Sequence, residues 1–430
     1  MKLHFAETQG ILVEHFNVNK IAEYTKSVLT NHDGKYETMI DDAKAYVDTL
    51  DFDSYVQVLN EYLEKEQVVF PGLDCYKWKW NDHYWTKQLP HKSAEEQYSQ
   101  LRKARIQSLL PMANGIKDKI VLLDTSEGTD NVGDDIIMDY CIKACQNAIK
   151  NKEVIKIPTH IYSSESEKVA RYPKILCGTN LIYTQMEESR QWSLPNDLKS
   201  YTDICLLGVG MQQINIDKPI SRYSKELLRF LLSSKCLHSV RDEETKNQLD
   251  KIGIKNVINT GCATMWALTP EFCKTIPRSK SRNVLTTVTD YLPDEEQDRY
   301  MLQLLKEKYQ KVYIWIQGQK DYEYLKKLVD LDGFCLIPPS VEKLDKILEM
   351  DDIDYIGTRL HAGIRSLNFR HRSLVISIDN RARAIAKDTE LPILERKDIG
   401  ENLSTWIEEE QETKIQIPID KIEQWKQQFE

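Results

Sequence analysis

From residue 118 onward, short apolar runs alternate with stretches of helical periodicity, and this alternation limits the fold more than any other feature of the sequence. The runs KIVLLD, VIKIPT, KILCGTNLIY, DICLLGVGM, LHSVRD and VINTG read as strands. Between them lie DDIIMDYCIKACQNAI and helices near 222–233 and 243–252. A polar, aperiodic segment, CKTIPRSKSRN (273–283), interrupts the rhythm and reads as a linker. The pattern then restarts with NVLTTVTDY, KVYIWIQG, FCLIPP, IDYIGT and SLVISID, separated by helices near 293–309, 321–330, 341–350 and from about 360. Strands alternating with helices give parallel sheets covered on both faces. The expected fold is therefore α/β: two tandem Rossmann-like, doubly wound parallel-sheet domains, 118–276 and 277–430. The helix PIDKIEQWKQQF closes the second. Such a pair places its ligand in the cleft outside the carboxyl ends of the strands.

Residues 1–117 lack the alternation. Amphipathic patterns such as YETMIDDAKAYVDTL predict a helical N-terminal extension with a small core of its own. The aromatic cluster CYKWKWNDHYW (75–85) reads as a packing surface rather than a platform for sugars.

Charge narrows the function. The chain of 430 residues has a net charge of −9, which excludes a generally basic nucleic-acid surface. Any anion site must be a local concentration of cations. No run approaches the ~18 apolar residues of a membrane span, and MKLHFAETQGILVEHF carries acids where a signal peptide would be apolar. Nine cysteines without a C-x-x-C, several inside strand-like runs, fit reduced thiols. A cytoplasmic location is expected, with peripheral membrane association left open and the oligomeric state not determined.

Four constellations can carry chemistry. DTSEGTDNVGDD (124–135) follows the first strand, has glycines at 128 and 133, and opens a helix whose free N–H groups suit an anion. It contains neither G-x-G-x-x-G nor G-K-[ST], so neither dinucleotide nor P-loop binding is indicated. The plain alternative is a turn capped by Asp130 or Asp134. KILCGTNLIY puts Gly178-Thr179-Asn180 after a strand, where a ligand can approach the backbone. LHSVRDEET aims Arg241 from a strand end, and arginine's planar fork matches carboxylate or phosphate. The alternative there is a surface pair with Asp242.

The fourth is the segment 357–388, with seven arginines or lysines, two histidines, and no acid before Asp379. Thr358 is expected to cap the helix RLHAGIRSLNF. His361 and Arg365 are i and i+4 and share a face. Arg359 stands in the first turn against the helix dipole. SLVISID ends in Asp379, followed by Arg381, Arg383 and Lys387.

In this order the elements resemble the polysaccharide pyruvyl transferase family over roughly 118–400. The residues that carry the resemblance are Asn131-Val-Gly-Asp-Asp135, Gly178-Thr-Asn180, Ser239-Val-Arg-Asp242, Arg359-Leu-His361 and Ser377-Ile-Asp379. The family's Asp-Pro after the sixth strand is GCAT (261–264) here. The resemblance implies a two-domain architecture like that of GT-B glycosyltransferases. It also implies an enzyme that moves the enolpyruvyl unit of phosphoenolpyruvate onto a sugar of a cell-surface polysaccharide precursor, lipid-linked precursors included. In this reading His361, Arg359 and Asp134 are catalytic. Arg241, Arg365, Arg381, Arg383, Lys387, Asn131, Gly133 and Asn180 bind substrate, and neither a metal nor a cofactor is expected. The competing expectations are a glycosyltransferase with a nucleotide-sugar donor and a non-catalytic anion-binding site.

Overall fold

The strand Lys119–Asp124 (β1) is buried from its second residue on, as a strand covered by helices on both sides must be. The computed structural model describes residues 92–108, 118–169, 172–188, 191–195, 197–212 and 219–430. The aromatic cluster and the expected helices before residue 92 lie outside them. The described residues belong to one compact unit, Phe70–Glu430.

In the first half β1 lies between β2 (Glu153–Pro158) and β3 (Lys174–Cys177), and β5 (Ile204–Leu207) follows β3, all parallel. KILCGTNLIY turns after its strand at Gly178-Thr179, as expected, and the chain then forms a second strand, while DICLLGVGM, expected as one strand, breaks. Gly178 (φ +55°) ends β3 before β4 (Asn180–Tyr183), and Gly208 (φ +62°) ends β5 before β6 (Gly210–Gln212). Strands β4 and β6 then form their own parallel ladder. Left-handed turns are open to glycine at little cost, so both strands bend at the same level. A further parallel pair, β7 (His238–Val240) and β8 (Val257–Asn259), completes this half.

The second half is a six-stranded parallel sheet in the order β11-β10-β9-β12-β13-β14. Its strands are β9 (Asn283–Thr286), β10 (Lys311–Trp315), β11 (Phe334–Ile337), β12 (Ile353–Gly357), β13 (Ser373–Ser377) and β14 (Ile393–Glu395). This is the Rossmann strand order, with its topological switch point between β9 and β12. In the first half the switch lies between β1 and β3. The expected doubly wound α/β architecture is the architecture found.

The principal helices are α1 (Ala94–Ser108), α2 (Gly133–Ala144), α3 (Arg222–Leu231), α4 (Glu243–Lys251), α5 (Glu295–Lys308) and α6 (Gln319–Leu328). They continue with α7 (Val341–Leu348), α8 (Leu360–Asn368), α9 (Asn380–Thr389), α10 (Ile399–Glu408) and α11 (Ile419–Gln427). Helix α1 shares the core of the first half through Leu101 and Ala104, with Tyr98 edge-on to Tyr223 at 5.1 Å; the rest of the expected N-terminal extension lies outside the described residues. The last helix, α11, expected to close the second half, buries Trp425 in the first half among Ile120, Leu122 and Ala148, edge-on to Trp266 at 5.7 Å.

Candidate active site

The two switch points meet over a cationic recess of about 30 Å³. Thr358, Arg359, Leu360 and His361 reach it at the start of α8, Asp379 and Arg381 at the start of α9, and Asn131 and Gly133 at the start of α2. Helix N-termini present unsatisfied N–H groups and partial positive charge, so three of them in one place favour an anion. Gly133 fits because a Cβ there would stand 3.0 Å from Gln317 Oε1. The Val132 N–H donates to the Gln317 carbonyl at 3.4 Å, joining the halves at this point.

The expected side-chain caps are absent. Thr358 donates its hydroxyl to the Thr287 carbonyl at 3.2 Å, and Arg359 occupies the N-cap of α8 without capping it. Val132, not Asp130 or Asp134, is the N-cap of α2, while Asn131 Oδ1 accepts the Gly133 N–H at 3.1 Å. The ends of α8 and α2 are thus not closed by their N-cap side chains, whereas α9 is capped by Asp379, whose carboxylate accepts the Arg381 N–H at 2.9 Å.

Each cation of the recess is fixed by a carboxylate. Arg359 Nη2 donates to both oxygens of buried Asp321, and its buried Nε has no hydrogen-bond partner. Asp290, 3.8 Å from Arg359, is pushed up to about 6 by burial and by the nearby Asp321 carboxylate. Arg381 Nε donates to Asp379 at 2.7 Å. Burial opposes ionisation of Asp379, yet Arg381 and Arg241 hold its carboxyl below the usual carboxylate range. His361 Nε2 lies 3.8 Å from Cys262 Sγ. Burial, then Arg381 and Arg241, push the imidazole down to about 3, against the opposing pull of Asp379, so it is neutral at pH 7.

Asp134 stands beside the recess rather than on its lining. Its carboxylate accepts from Thr129 Oγ1 at 3.0 Å and lies 3.9 Å from His160 Nε2, while burial raises its pKa. A larger cavity of about 440 Å³ adjoins the recess and shares Asn131, Arg359, Asp379 and Arg381 with it. Asn180, Gln191, Gln212, Arg241, Tyr291 and Asn380 add to its walls. Arg241 and Asp242 form a buried pair at 3.3 Å, not a surface one.

Other expected residues go elsewhere. Arg365 is buried against Asp345, accepted by both carboxylate oxygens at 2.6 Å, and is not among the cleft residues. It shares a helix with His361, but α7 presents an acid that captures it. Arg383 reaches the outer edge of the larger cavity while bound to Glu395 at 2.7 Å. Lys387 is exposed one turn further along α9 and lines neither space. Conversely, His160, Gln191, Gln212 and Tyr291 escaped sequence reasoning because no motif surrounds them. The aromatic ending of NVLTTVTDY at a strand's carboxyl end was the one signal for Tyr291.

Among the described residues, one group has metal-ligand spacing: Cys205, Cys236 and His238, whose ligand atoms lie within 4.8 Å of one another. His238 Nε2 meets the Ser233 carbonyl at 2.8 Å, and Nδ1 accepts the Leu206 N–H at 3.2 Å. Both ring nitrogens thus serve the backbone of the first half. No helix among the described residues is long and apolar enough to cross a membrane.

The UDP-GlcNAc 2-epimerase of Methanocaldococcus jannaschii aligns with 70% of this chain and 95% of its own, at 10% identity and a TM-score of 0.43. The Neisseria meningitidis UDP-GlcNAc 2-epimerase covers 72% and 99%, at 11% identity and a TM-score of 0.40. The wall teichoic acid polymerase TagF covers 78% and 86%, at 11% identity and a TM-score of 0.35. No curated protein matches the chain. Residues 131–380, from the first-turn asparagine of the recess to the start of α9, match the polysaccharide pyruvyl transferase family model. With more than half of its length inside that match, together with every residue of the recess up to Asp379, the chain belongs to the polysaccharide pyruvyl transferase family.

Proposed function

We propose that this enzyme takes the pyruvyl unit from phosphoenolpyruvate and sets it as a ketal across two hydroxyls of a sugar in a cell-surface glycan precursor, releasing phosphate. The observation that carries this reading is the recess where Arg359, His361 and Arg381 meet the N-termini of α2, α8 and α9. Phosphoenolpyruvate brings a carboxylate and a phosphate, about three negative charges. Guanidinium groups and helix N-termini hold such a ligand without losing charge.

His361 supplies the proton that C3 must gain. Its neutrality beside two arginines is offset when the anionic donor arrives, because negative charge raises an imidazole's proton affinity. Protonation at C3 makes C2 electrophilic, the first sugar hydroxyl bonds to C2, and its proton passes to Asp134 at the His160 side. The C2–O bond to phosphate breaks, and the leaving charge develops against Arg359 and Arg381. The second hydroxyl closes the ketal. Overall one hydroxyl proton ends on C3 and the other on phosphate. The reaction runs in the cytoplasm, with the acceptor carried on a lipid at the membrane surface.

His361→Ala, assayed for phosphate release from phosphoenolpyruvate with acceptor, tests the mechanism, and unchanged turnover removes this histidine from it. A thermal-shift panel tests the donor: protection by phosphoenolpyruvate is expected. Protection by nucleotide sugars alone would mean a glycosyltransferase instead.

A further inference from the structure

The loop from β9 to α5 is built as a prong at the mouth of the larger cavity. Leu292 adopts a left-handed φ of +51°, which only surrounding structure can impose on a leucine. Its carbonyl accepts Arg396 Nη2 at 2.7 Å, and buried Arg396 is held in turn by Asp298 at 3.4 Å. The Asp290 N–H donates to Asp321 at 2.9 Å, and the Asp294 N–H to the Tyr324 hydroxyl at 3.1 Å. So much fixing keeps two large apolar side chains in water: Tyr291 is 45% and Leu292 51% exposed. Tyr291's ring lies 5.8 Å from the Arg381 guanidinium, at the edge of the recess.

Amide side chains also line the cavity. Asn180 is 6% exposed, and its Oδ1 has no hydrogen-bond partner. Gln212 is oriented by the Tyr183 hydroxyl at 2.8 Å. The arginines of this space are matched by acids, Arg241 by Asp242, Arg359 by Asp321, Arg381 by Asp379 and Arg383 by Glu395, and Glu244 adds a further acid to the lining. An aromatic and aliphatic ledge together with amides suits a ring with an apolar C–H face and a hydroxyl edge. Matched charges give no preference for an acidic one.

We propose that the larger cavity is the acceptor site and takes an uncharged pyranose ring, seated on Tyr291 and Leu292 with its hydroxyls read by Asn180 and Gln212. The assignment rests on the pyruvyl-transfer reading, but its test does not depend on the donor. Binding of methyl β-D-galactopyranoside, methyl β-D-glucopyranoside, methyl N-acetyl-β-D-mannosaminide and anionic methyl β-D-glucuronide is measured by saturation-transfer NMR. Tyr291→Phe keeps the ring, while Tyr291→Ala removes it. Leu292→Gly removes a side chain while relieving the left-handed strain, so its effect is not one of unfolding.

At least one neutral glycoside is expected to bind better than the glucuronide. Tyr291→Ala and Leu292→Gly should each weaken it about tenfold, a loss of one stacked contact, with Tyr291→Phe close to wild type. Binding led by the glucuronide, no neutral binding at all, or a Tyr291→Ala variant that binds like wild type overturns the assignment. Neutral binding without thermal protection by phosphoenolpyruvate would leave the acceptor site standing and remove the donor reading instead.

Discussion

Arg365 grips both carboxylate oxygens of Asp345 at 2.6 Å, and the same guanidinium comes within 3.3 Å of Asp139 on α2. One side chain therefore ties α8 to α7 and to the first half. Arg365→Met should cost about 2–3 kcal/mol in chemical denaturation. That is the low end for a broken buried pair, because Asp345 and Asp139 both keep access to water. Thermal protection by phosphoenolpyruvate should persist. Its loss would place Arg365 in the site after all.

Gly210 gives Arg241 its place. A methyl group there would overlap the guanidinium, so Gly210→Ala must displace an arginine that presses on the recess electrostatically. The apparent KM for phosphoenolpyruvate should rise about tenfold or more, with the circular dichroism spectrum unchanged.

Arg359 is held through Nη2, which leaves its Nε–H for a ligand. Lysine has no second nitrogen to offer, so Arg359→Lys should lower kcat/KM by about 10²–10³ despite keeping the charge. Steady-state phosphate release measures it.

The pH dependence of stability has a definite sign. In the fold His361 is pushed down to about 3, below the roughly 6.5 of an unfolded imidazole. Between those values the unfolded chain binds the extra proton, so this residue lowers stability as pH falls from about 6.5 toward 3. His371, lowered by burial, acts in the same direction. His361→Gln should flatten the acid limb of a plot of Tm against pH and leave the plateau above pH 7 nearly unchanged.

Much of the frame was legible because periodicity is a local property: each apolar run from KIVLLD to SLVISID became strand, two of them divided by a glycine. The order of strands in a sheet is not local, and the break at Gly208 that separates Leu207 from Gly210 went unread. In the site, Arg359, His361 and Arg381 could be placed because strand ends converge in any doubly wound sheet. Arg365 could not, since i, i+4 spacing says which residues share a face but not which neighbour that face meets. Thr358 looked like a cap from its place before the helix, yet the helix starts one residue later and the Thr358 hydroxyl goes to the Thr287 carbonyl just past β9. His160 and Tyr291 depend on loop paths that composition does not encode.

The position of Trp425 bears on the order in which the protein is made. The core around Ile120 and Leu122 is closed by a helix translated about 300 residues later. On the ribosome, then, the first half emerges early but its core around Ile120 stays unsealed until Trp425 follows. Synthesis is sequential here, but the closing of this core is not: it waits on a contact made across most of the described chain.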